Sequence, residues 1–303
     1  MSSRFDIIVD PYFKSGFFLQ GPSPVTDQRV NFHYLGYGGN SILPSRKVWI
    51  MSQWWTPFDF KDAIFHEENG VYEYSNESRR CLIDIKEGSF HFELDSGKEY
   101  MKKYGHGRTS PSDPWSHFLL EQDFHHPLKF RKTLALMARL NFSIEKVVNE
   151  DESHYDPKIH AAQFLWYVVV KECAEGEAEE NSLSGRYIWI GIPIYDNRYA
   201  MTPASKTFDQ GFQGATNALI YTLSSGEYLP KDGLRIGEKQ SYEICYDLFP
   251  HIKKSVRYAV RNGIFKSEKN VYITYMNIGW ELPGSFQVAS TIKSLRLEAI
   301  SDE

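Results

Sequence analysis

A chain of 303 residues, of which 42% are hydrophobic and 15% aromatic, is long enough for one large domain with a substantial core. Its formal net charge is −5 and its Lys and Arg residues are scattered, which argues against nucleic-acid binding because such binding needs a basic face. The N-terminus lacks the apolar stretch of a secretion signal and no apolar run could span a membrane, so we expect a soluble, cytoplasmic protein, or a secreted one if a signal peptide was removed.

The first half of the chain alternates short apolar runs with turns rich in Gly and Pro, a pattern typical of strands and turns. A strong strand is predicted at residues 47–55, and shorter strands follow at 70–74, 80–85 and 89–94. The polar segment 98–114 is predicted to be a long loop of the kind that is often functional.

The clearest strand pattern in the chain covers residues 185–198. Isoleucine recurs at every second position from Ile188 to Ile194, so one face of this strand is β-branched and must be buried. The opposite face carries Trp189 and Tyr195, and we predict that it forms the floor of a groove.

Further strands and one helix are predicted in the second half. The strands are expected at residues 117–124, 128–148, 160–171, 219–223, 242–246, 270–280 and 291–299, with an exposed acidic hairpin loop at 172–180. Apolar residues at helical spacing from Phe249 to Val260 predict an amphipathic helix with a C-cap at Asn262-Gly263. The pattern predicts an all-β fold, an antiparallel β-sandwich of the jelly-roll, concanavalin A-like type with one or two short helices, in a single domain spanning residues 1–303.

One predicted strand carries two carboxylates in phase. Glu121 and Asp123 point the same way, about 6.5 Å apart along the strand, and His125 extends the row. Two carboxylates this close raise each other's pKa, which suits a pair that shares acid–base or nucleophilic work. The alternative is that all three are solvated residues of an ordinary strand.

The same strand resembles the Glu-x-Asp-x-Glu motif of the laminarinase-like, retaining β-glucanases, a family of concanavalin A-like jelly rolls. The resemblance implies that Glu121 is the nucleophile and that Asp123 is the assisting acid. The third carboxylate of the motif, the acid/base, is replaced in this chain by His125 or His126. A His would therefore carry the proton that the family takes from a carboxyl group.

A second candidate set begins at His160. A neutral His can act as a base, including the proton abstraction of a polysaccharide lyase, and Gln163, Tyr195 and Arg198 could complete such a set. A His at the start of a strand can equally be a hydrogen-bonded structural residue.

Two further positions are candidates for substrate contact. Asp196 and Arg198 could clamp sugar hydroxyls or simply pair with each other. Glu281 lies between a Trp and a Pro, where burial could raise its pKa. The residues predicted to bind substrate are Trp54, Trp55, Gln163, Trp189, Tyr195, Asp196, Arg198 and Glu281.

No sequence motif indicates a cofactor. Cys81, Cys173 and Cys245 are far apart and lack CxxC spacing, so neither a zinc site nor a disulfide framework is predicted. We expect no cofactor, although oxygen ligands on loops could hold a structural Ca²⁺.

The sequence thus predicts a carbohydrate-active protein that binds an oligo- or polysaccharide in a groove on one sheet. It is expected to cleave a glycosidic bond, as a hydrolase or as a lyase. A non-catalytic lectin on the same scaffold is the main alternative. A structural protein whose aromatic residues are all buried is a third.

Overall fold

The computed structural model describes residues 2–22, 33–37, 47–173, 185–210, 215–237 and 239–302. In chain order its regular elements are β1 (Ser2–Asp6), β2 (Phe17–Gln20), β3 (His33–Leu35), β4 (Trp49–Ser52), β5 (Ile64–Glu68), β6 (Val71–Ser75), β7 (Arg79–Asp84), β8 (Ser89–Asp95), α1 (Ser96–Tyr104), β9 (Ser116–Lys129), β10 (Thr133–Asn149), β11 (Gln163–Glu172), β12 (Arg186–Asp196), β13 (Ser205–Phe208), β14 (Leu219–Thr222), β15 (Tyr242–Asp247), α2 (Phe249–Arg261), β16 (Val271–Leu282) and β17 (Phe286–Asp302).

These strands form two sheets. Sheet A has eight strands in the order β15-β10-β17-β8-β7-β6-β5, with β1 also paired to β17. Sheet B has nine strands in the order β13-β14-β12-β11-β16-β9-β4-β2-β3. Neighbours are antiparallel except for β12 with β14 and β2 with β4, which are parallel. The predicted all-β sandwich of jelly-roll type, with two short helices in the described residues, is confirmed.

The core lies between the inner faces of the two sheets. Phe92 of sheet A contacts Phe118 and Phe164 of sheet B, with ring centroids 5.3 and 5.7 Å apart. The isoleucine face of β12 belongs to this core, because Ile188 and Ile194 and the two isoleucines between them are at most 1% exposed. Burying each of these side chains contributes about 2 kcal/mol. The face that the sequence pattern assigned to the core is therefore correct.

Helix α1 stands where the sequence predicted a long loop. The Asp95 side chain accepts the Lys98 amide at the N-terminus, and Gly105 ends the helix with φ of 73°. The buried side includes Glu99, which is polar, so no apolar stripe marks the helix in the sequence. The prediction of a loop over residues 98–104 was wrong for that reason.

The second helix confirms its prediction. Phe249, Ile252, Val256 and Ala259 are all buried, and the helix contacts β10 and β12. The predicted strand at residues 160–171 begins only at Gln163, so three residues belong to the preceding loop. The predicted acidic hairpin loop lies mostly outside the described residues.

The outer face of sheet A carries a network of charged side chains. Arg80 donates to both carboxylate oxygens of Glu73 and to Glu93, while His91 lies between Glu93 and Glu145 at 3.1 and 3.2 Å. These residues line a cavity of about 510 Å³. This network is not predictable from sequence spacing, because its members come from β6, β7, β8 and β10.

His91 should make folding stability depend on pH. Burial alone would lower its pKa, but hydrogen bonds to Glu145 and Glu93 raise it to about 9. A pKa raised in the folded state means that the contribution is complete below the unfolded value, about 6.5, and is lost as pH rises through about 9. We expect His91→Gln to reduce the free energy of unfolding by about 2 kcal/mol near pH 6 and by much less near pH 10.

Chemical denaturation of both proteins at the two pH values measures this difference. An equal loss of stability at both pH values would contradict the assignment of a charged His91.

Candidate active site

The outer face of sheet B presents a row of polar side chains across four strands. Asp196 of β12 is opposite Gln163 of β11, Gln163 is opposite Glu281 of β16, and Glu281 is opposite His117 of β9. Directly paired residues point to the same side of a sheet, so all four share one face. We call these four residues the Glu281 row.

A second row crosses the same strands. Tyr167 of β11, Asn277 of β16 and Glu121 of β9 are paired in register, and we call them the Glu121 row. Glu281 lies four residues beyond Asn277 on β16. Strand geometry therefore places the Cα atoms of Glu121 and Glu281 about 14 Å apart.

That separation decides which carboxylates can work together. Glycosidases place their two carboxyl groups about 5–5.5 Å apart in retaining enzymes and about 6.5–9.5 Å apart in inverting ones. Because a Glu carboxyl carbon lies at most about 4 Å from its Cα, Glu121 and Glu281 are too distant for the retaining arrangement.

The environment of Glu121 is enclosed. Glu121 is 5% exposed and hydrogen-bonds to the hydroxyl of Tyr275, which is 3% exposed. Burial and the charge of Glu121 hold the pKa of Tyr275 well above its usual range. Asp123 shares this side of β9, as predicted, and is exposed, while the His125 ring lies 3.4 Å from the Lys47 carbonyl.

Glu281 is a strongly perturbed carboxyl group on this face. The indole Nε1–H of Trp115 donates to its Oε2 at 3.2 Å, and Nε2 of His117 lies 3.6 Å from the same oxygen. Burial raises the pKa of Glu281 to about 7; the Trp115 hydrogen bond opposes this shift and the charge of Asp209 adds to it. With 17% of its side chain exposed, Glu281 can hold a proton at neutral pH and still meet a ligand.

A glycine lets the two strands beneath this site approach closely. Gly279 has φ of +154°, and a Cβ on it would lie 2.2 Å from the Phe118 carbonyl oxygen. A side chain there would force β16 away from β9. Gly279 thus helps to bring Glu281 opposite His117.

His160 does not lie on the outer face of sheet B. It is 8% exposed in the loop before β11, where its Nδ1 accepts the Asp156 amide and its Nε2 donates to the Arg108 carbonyl at 2.8 Å. Both ring nitrogens are therefore occupied by the backbone. The structure supports the structural alternative and does not place a catalytic base at His160.

Tyr195 also lies elsewhere than predicted. Phe164 pairs with Tyr195 and Leu165 with Pro193, so Ile194 is an extra, bulged residue on β12, and Tyr195 turns to the core side, 6.1 Å from the Trp280 ring. The prediction that Tyr195 lies on the groove floor was wrong because strict alternation ends at this bulge.

Asp196 and Arg198 form a closed local ion pair. Arg198 donates to both oxygens of Asp196 at 2.9 and 2.6 Å, and Gln163 adds a bond at 2.9 Å. This arrangement matches the second of the two alternatives for these residues, simple mutual pairing. Since His160 and Tyr195 are elsewhere, the structure does not assemble the predicted lyase set.

Aromatic rings flank the two rows. Trp189 is half-buried and meets the Tyr167, Tyr187 and Tyr275 rings edge to face, at centroid distances of 5.5, 5.9 and 5.9 Å. The carbonyl of Trp54 accepts the His117 amide, and the Lys103 amine lies 5.1 Å from the Trp55 ring centre. Trp189 therefore lies on the outer face of sheet B, while Trp55 contacts Lys103 of α1.

Three residues of this site, His117, Trp115 and Asp209, are not among those predicted from the sequence. His117 could have been found, because it is in phase with Glu121 on β9. Trp115 and Asp209 carry no such signal, since loops bring them to Glu281.

Among the described residues, no group of three or more His, Cys, Asp or Glu side chains could hold a metal ion. No helix within those ranges is long and apolar enough to cross a membrane. The 510 Å³ cavity belongs to sheet A and lies away from both rows.

No family model and no curated protein matches the chain. Solved structures that it resembles include a cellulase derived from that of Rhodothermus marinus, with 9% identity and a TM-score of 0.43 over 84% of this chain and 100% of that one. A family 12 xyloglucanase from Bacillus licheniformis has 9% identity and a TM-score of 0.44 over 82% and 99%. A metagenome-derived family 12 endoglucanase has 10% identity and a TM-score of 0.42 over 77% and 92%. At such identities the resemblance is one of fold and assigns no residue.

Proposed function

We propose that the protein binds an oligo- or polysaccharide on the outer face of sheet B and hydrolyses a glycosidic bond there. The observation that carries this proposal is Glu281, a partly accessible carboxyl group whose burial raises its pKa to about 7. Such a group can protonate the leaving oxygen of a glycoside near neutral pH.

The aromatic rings beside the two rows suit a sugar ligand. Trp189 and Tyr167 are half-buried, so each offers part of its ring to the face. An aromatic ring combines an apolar face with a polar edge, which matches the alternating surfaces of a sugar. These rings would hold the chain while Glu281 acts on it.

Hydrolysis needs a second carboxylate, and Asp209 is our candidate. Asp209 directly follows β13. Burial raises the pKa of the Tyr167 hydroxyl, and the charges of Glu281 and Asp209 both raise it further. The Thr216 amide and hydroxyl donate to Oδ2 of Asp209 at 2.7 and 2.6 Å, which fixes the carboxylate. We assign the proton donor to Glu281, the second carboxylate to Asp209 and a binding role to Glu121.

A non-catalytic lectin is the second candidate. It is favoured by two observations: Glu121 is buried against Tyr275, and Asp196 is neutralised by Arg198. A lectin needs the rings and hydrogen-bonding groups but no free acid–base pair.

A panel of polysaccharides separates these functions. We expect new reducing ends without the ultraviolet absorbance of unsaturated sugars, because hydrolysis adds water and elimination does not. Absorbance from unsaturated products would show a lyase instead. Binding on a glycan array without either product would establish the lectin and exclude hydrolysis.

A further inference from the structure

Two rings contact one oxygen of Glu281. Trp115 donates to Oε2 at 3.2 Å, and His117 Nε2 lies 3.6 Å from the same atom. Across the described parts of the chain, no hydrogen bond reaches Oε1. Among these residues, the hydrogen-bonding contacts to the Glu281 carboxyl group are therefore made to Oε2.

The orientation of His117 follows from its other nitrogen. Nδ1 lies 2.9 Å from the Trp115 carbonyl oxygen, so Nδ1 carries the hydrogen and Nε2 presents a lone pair towards Glu281. Burial, together with the charge of Arg79, lowers the pKa of His117 to about 3 and keeps the ring neutral. A lone pair at this position disfavours a charged carboxylate.

Trp115 is itself held in place. Its ring stacks on His117 with centroids 5.5 Å apart, and the Arg108 guanidinium lies 5.4 Å from the Trp115 ring centre. Arg108 donates to the carbonyls of Pro111 at 2.7 Å, Asp113 at 3.1 Å and Ile159, and is 8% exposed. The backbone therefore fixes Arg108, Arg108 supports Trp115, and Trp115 fixes the His117 ring.

We propose that Arg108, Trp115 and His117 form a positioning stack for Glu281, which binds Oε2 and leaves Oε1 to exchange a proton with the substrate. The catalytic use of that proton rests on the proposed function, whereas the positioning of the Glu281 carboxyl group rests on the contacts alone. The two rings act in opposite directions: the Trp115 N–H stabilises the carboxylate, whereas the His117 lone pair repels its negative charge. The other ionisable groups that act on Glu281 or His117 are Asp209, Tyr167, Arg79 and Glu99.

Titration of Glu281 tests the stack without an activity assay. Carboxyl-¹³C glutamate is incorporated, and the Glu281 resonance is assigned by its loss in Glu281→Gln. We expect Trp115→Phe to raise the titration midpoint by about 0.5–1 pH unit, because one hydrogen bond to the carboxylate is lost. His117→Phe should lower the midpoint below that of the unmodified protein. Trp189→Phe, which does not touch Glu281, is the matched control and should leave the midpoint unchanged.

The outcomes separate the stack from the proposed function. Unchanged midpoints in Trp115→Phe and His117→Phe, or shifts of the same sign, overturn the positioning role whether or not a polysaccharide is cleaved. Opposite shifts in a protein that cleaves no polysaccharide support the positioning role and overturn the hydrolase. If Trp115→Phe does not fold, the Glu281 titration midpoint in His117→Phe alone tests the positioning role. A downward shift supports that role, and an unchanged or higher midpoint overturns it.

Discussion

Replacing Glu281 by Gln is expected to lower kcat for glycoside hydrolysis by about 10²–10⁴-fold while substrate affinity stays nearly unchanged. Gln keeps the size of Glu281 and can still accept the Trp115 N–H through its amide oxygen. It cannot release a proton to the leaving group. Steady-state kinetics and calorimetric binding, on a substrate identified by the panel, measure the two effects separately.

Glu121→Gln is the matched variant for this experiment. It makes the same chemical change on the same face, at a site whose Cα lies about 14 Å from that of Glu281. We expect it to weaken binding and to leave kcat close to that of the unmodified protein. If Glu121→Gln abolishes turnover and Glu281→Gln does not, the nucleophile implied by the β-glucanase resemblance is right and our assignment is wrong.

The second large effect is expected at a buried ion pair beneath the site. Arg79 Nε donates to Glu99 Oε1 at 2.7 Å, and both side chains are at most 1% exposed. Hydroxyls of Thr56 and Ser78 add bonds of 2.8 Å to the same oxygen. Burial would raise the pKa of Glu99, but the Arg79 charge and hydrogen bonds from Arg79, Ser116 and Ser78 keep it below its usual value.

We expect Glu99→Gln to reduce the free energy of unfolding by about 3–5 kcal/mol, because it leaves the Arg79 charge buried without its counterion. Lys61→Met, which removes an exposed ion pair with Asp59, is the control and should cost less than about 1 kcal/mol. Urea denaturation of both variants gives the comparison. A loss below about 1 kcal/mol for Glu99→Gln would show that Arg79 finds solvent or another partner.

This ion pair also links stability to the site. Arg79 Nη1 donates to the His117 carbonyl at 2.7 Å, so the pair anchors the strand end that carries His117. A variant that weakens the pair should therefore also disturb the Glu281 row. The positioning stack and the ion pair meet at His117.

The fold could be predicted where local alternation decides it. The isoleucines from Ile188 to Ile194 read as a buried strand face, and the apolar spacing from Phe249 to Ala259 read as a helix. Helix α1 could not be found this way, because Glu99 and other polar residues form its buried side. The burial of Glu99 depends on Arg79, which lies on β7, two elements earlier in the chain.

The site was only partly predictable for a related reason. Alternation correctly placed Glu121 and Asp123 on one side of β9, and Trp-flanked burial suggested the raised pKa of Glu281. The bulge that turns Tyr195 inward has no local sequence signal. The pairing of Glu281 with His117 joins strands from distant parts of the chain, so only the three-dimensional register reveals it.

The central claim is that a glycan meets Glu281 on the outer face of sheet B. A crystal structure of Glu281→Gln with an oligosaccharide from the panel tests it most directly. We predict a sugar ring against Trp189 or Tyr167 and a glycosidic oxygen within hydrogen-bonding distance of the side chain at position 281. An oligosaccharide bound instead in the cavity on sheet A, with the Glu281 row empty, would contradict the claim.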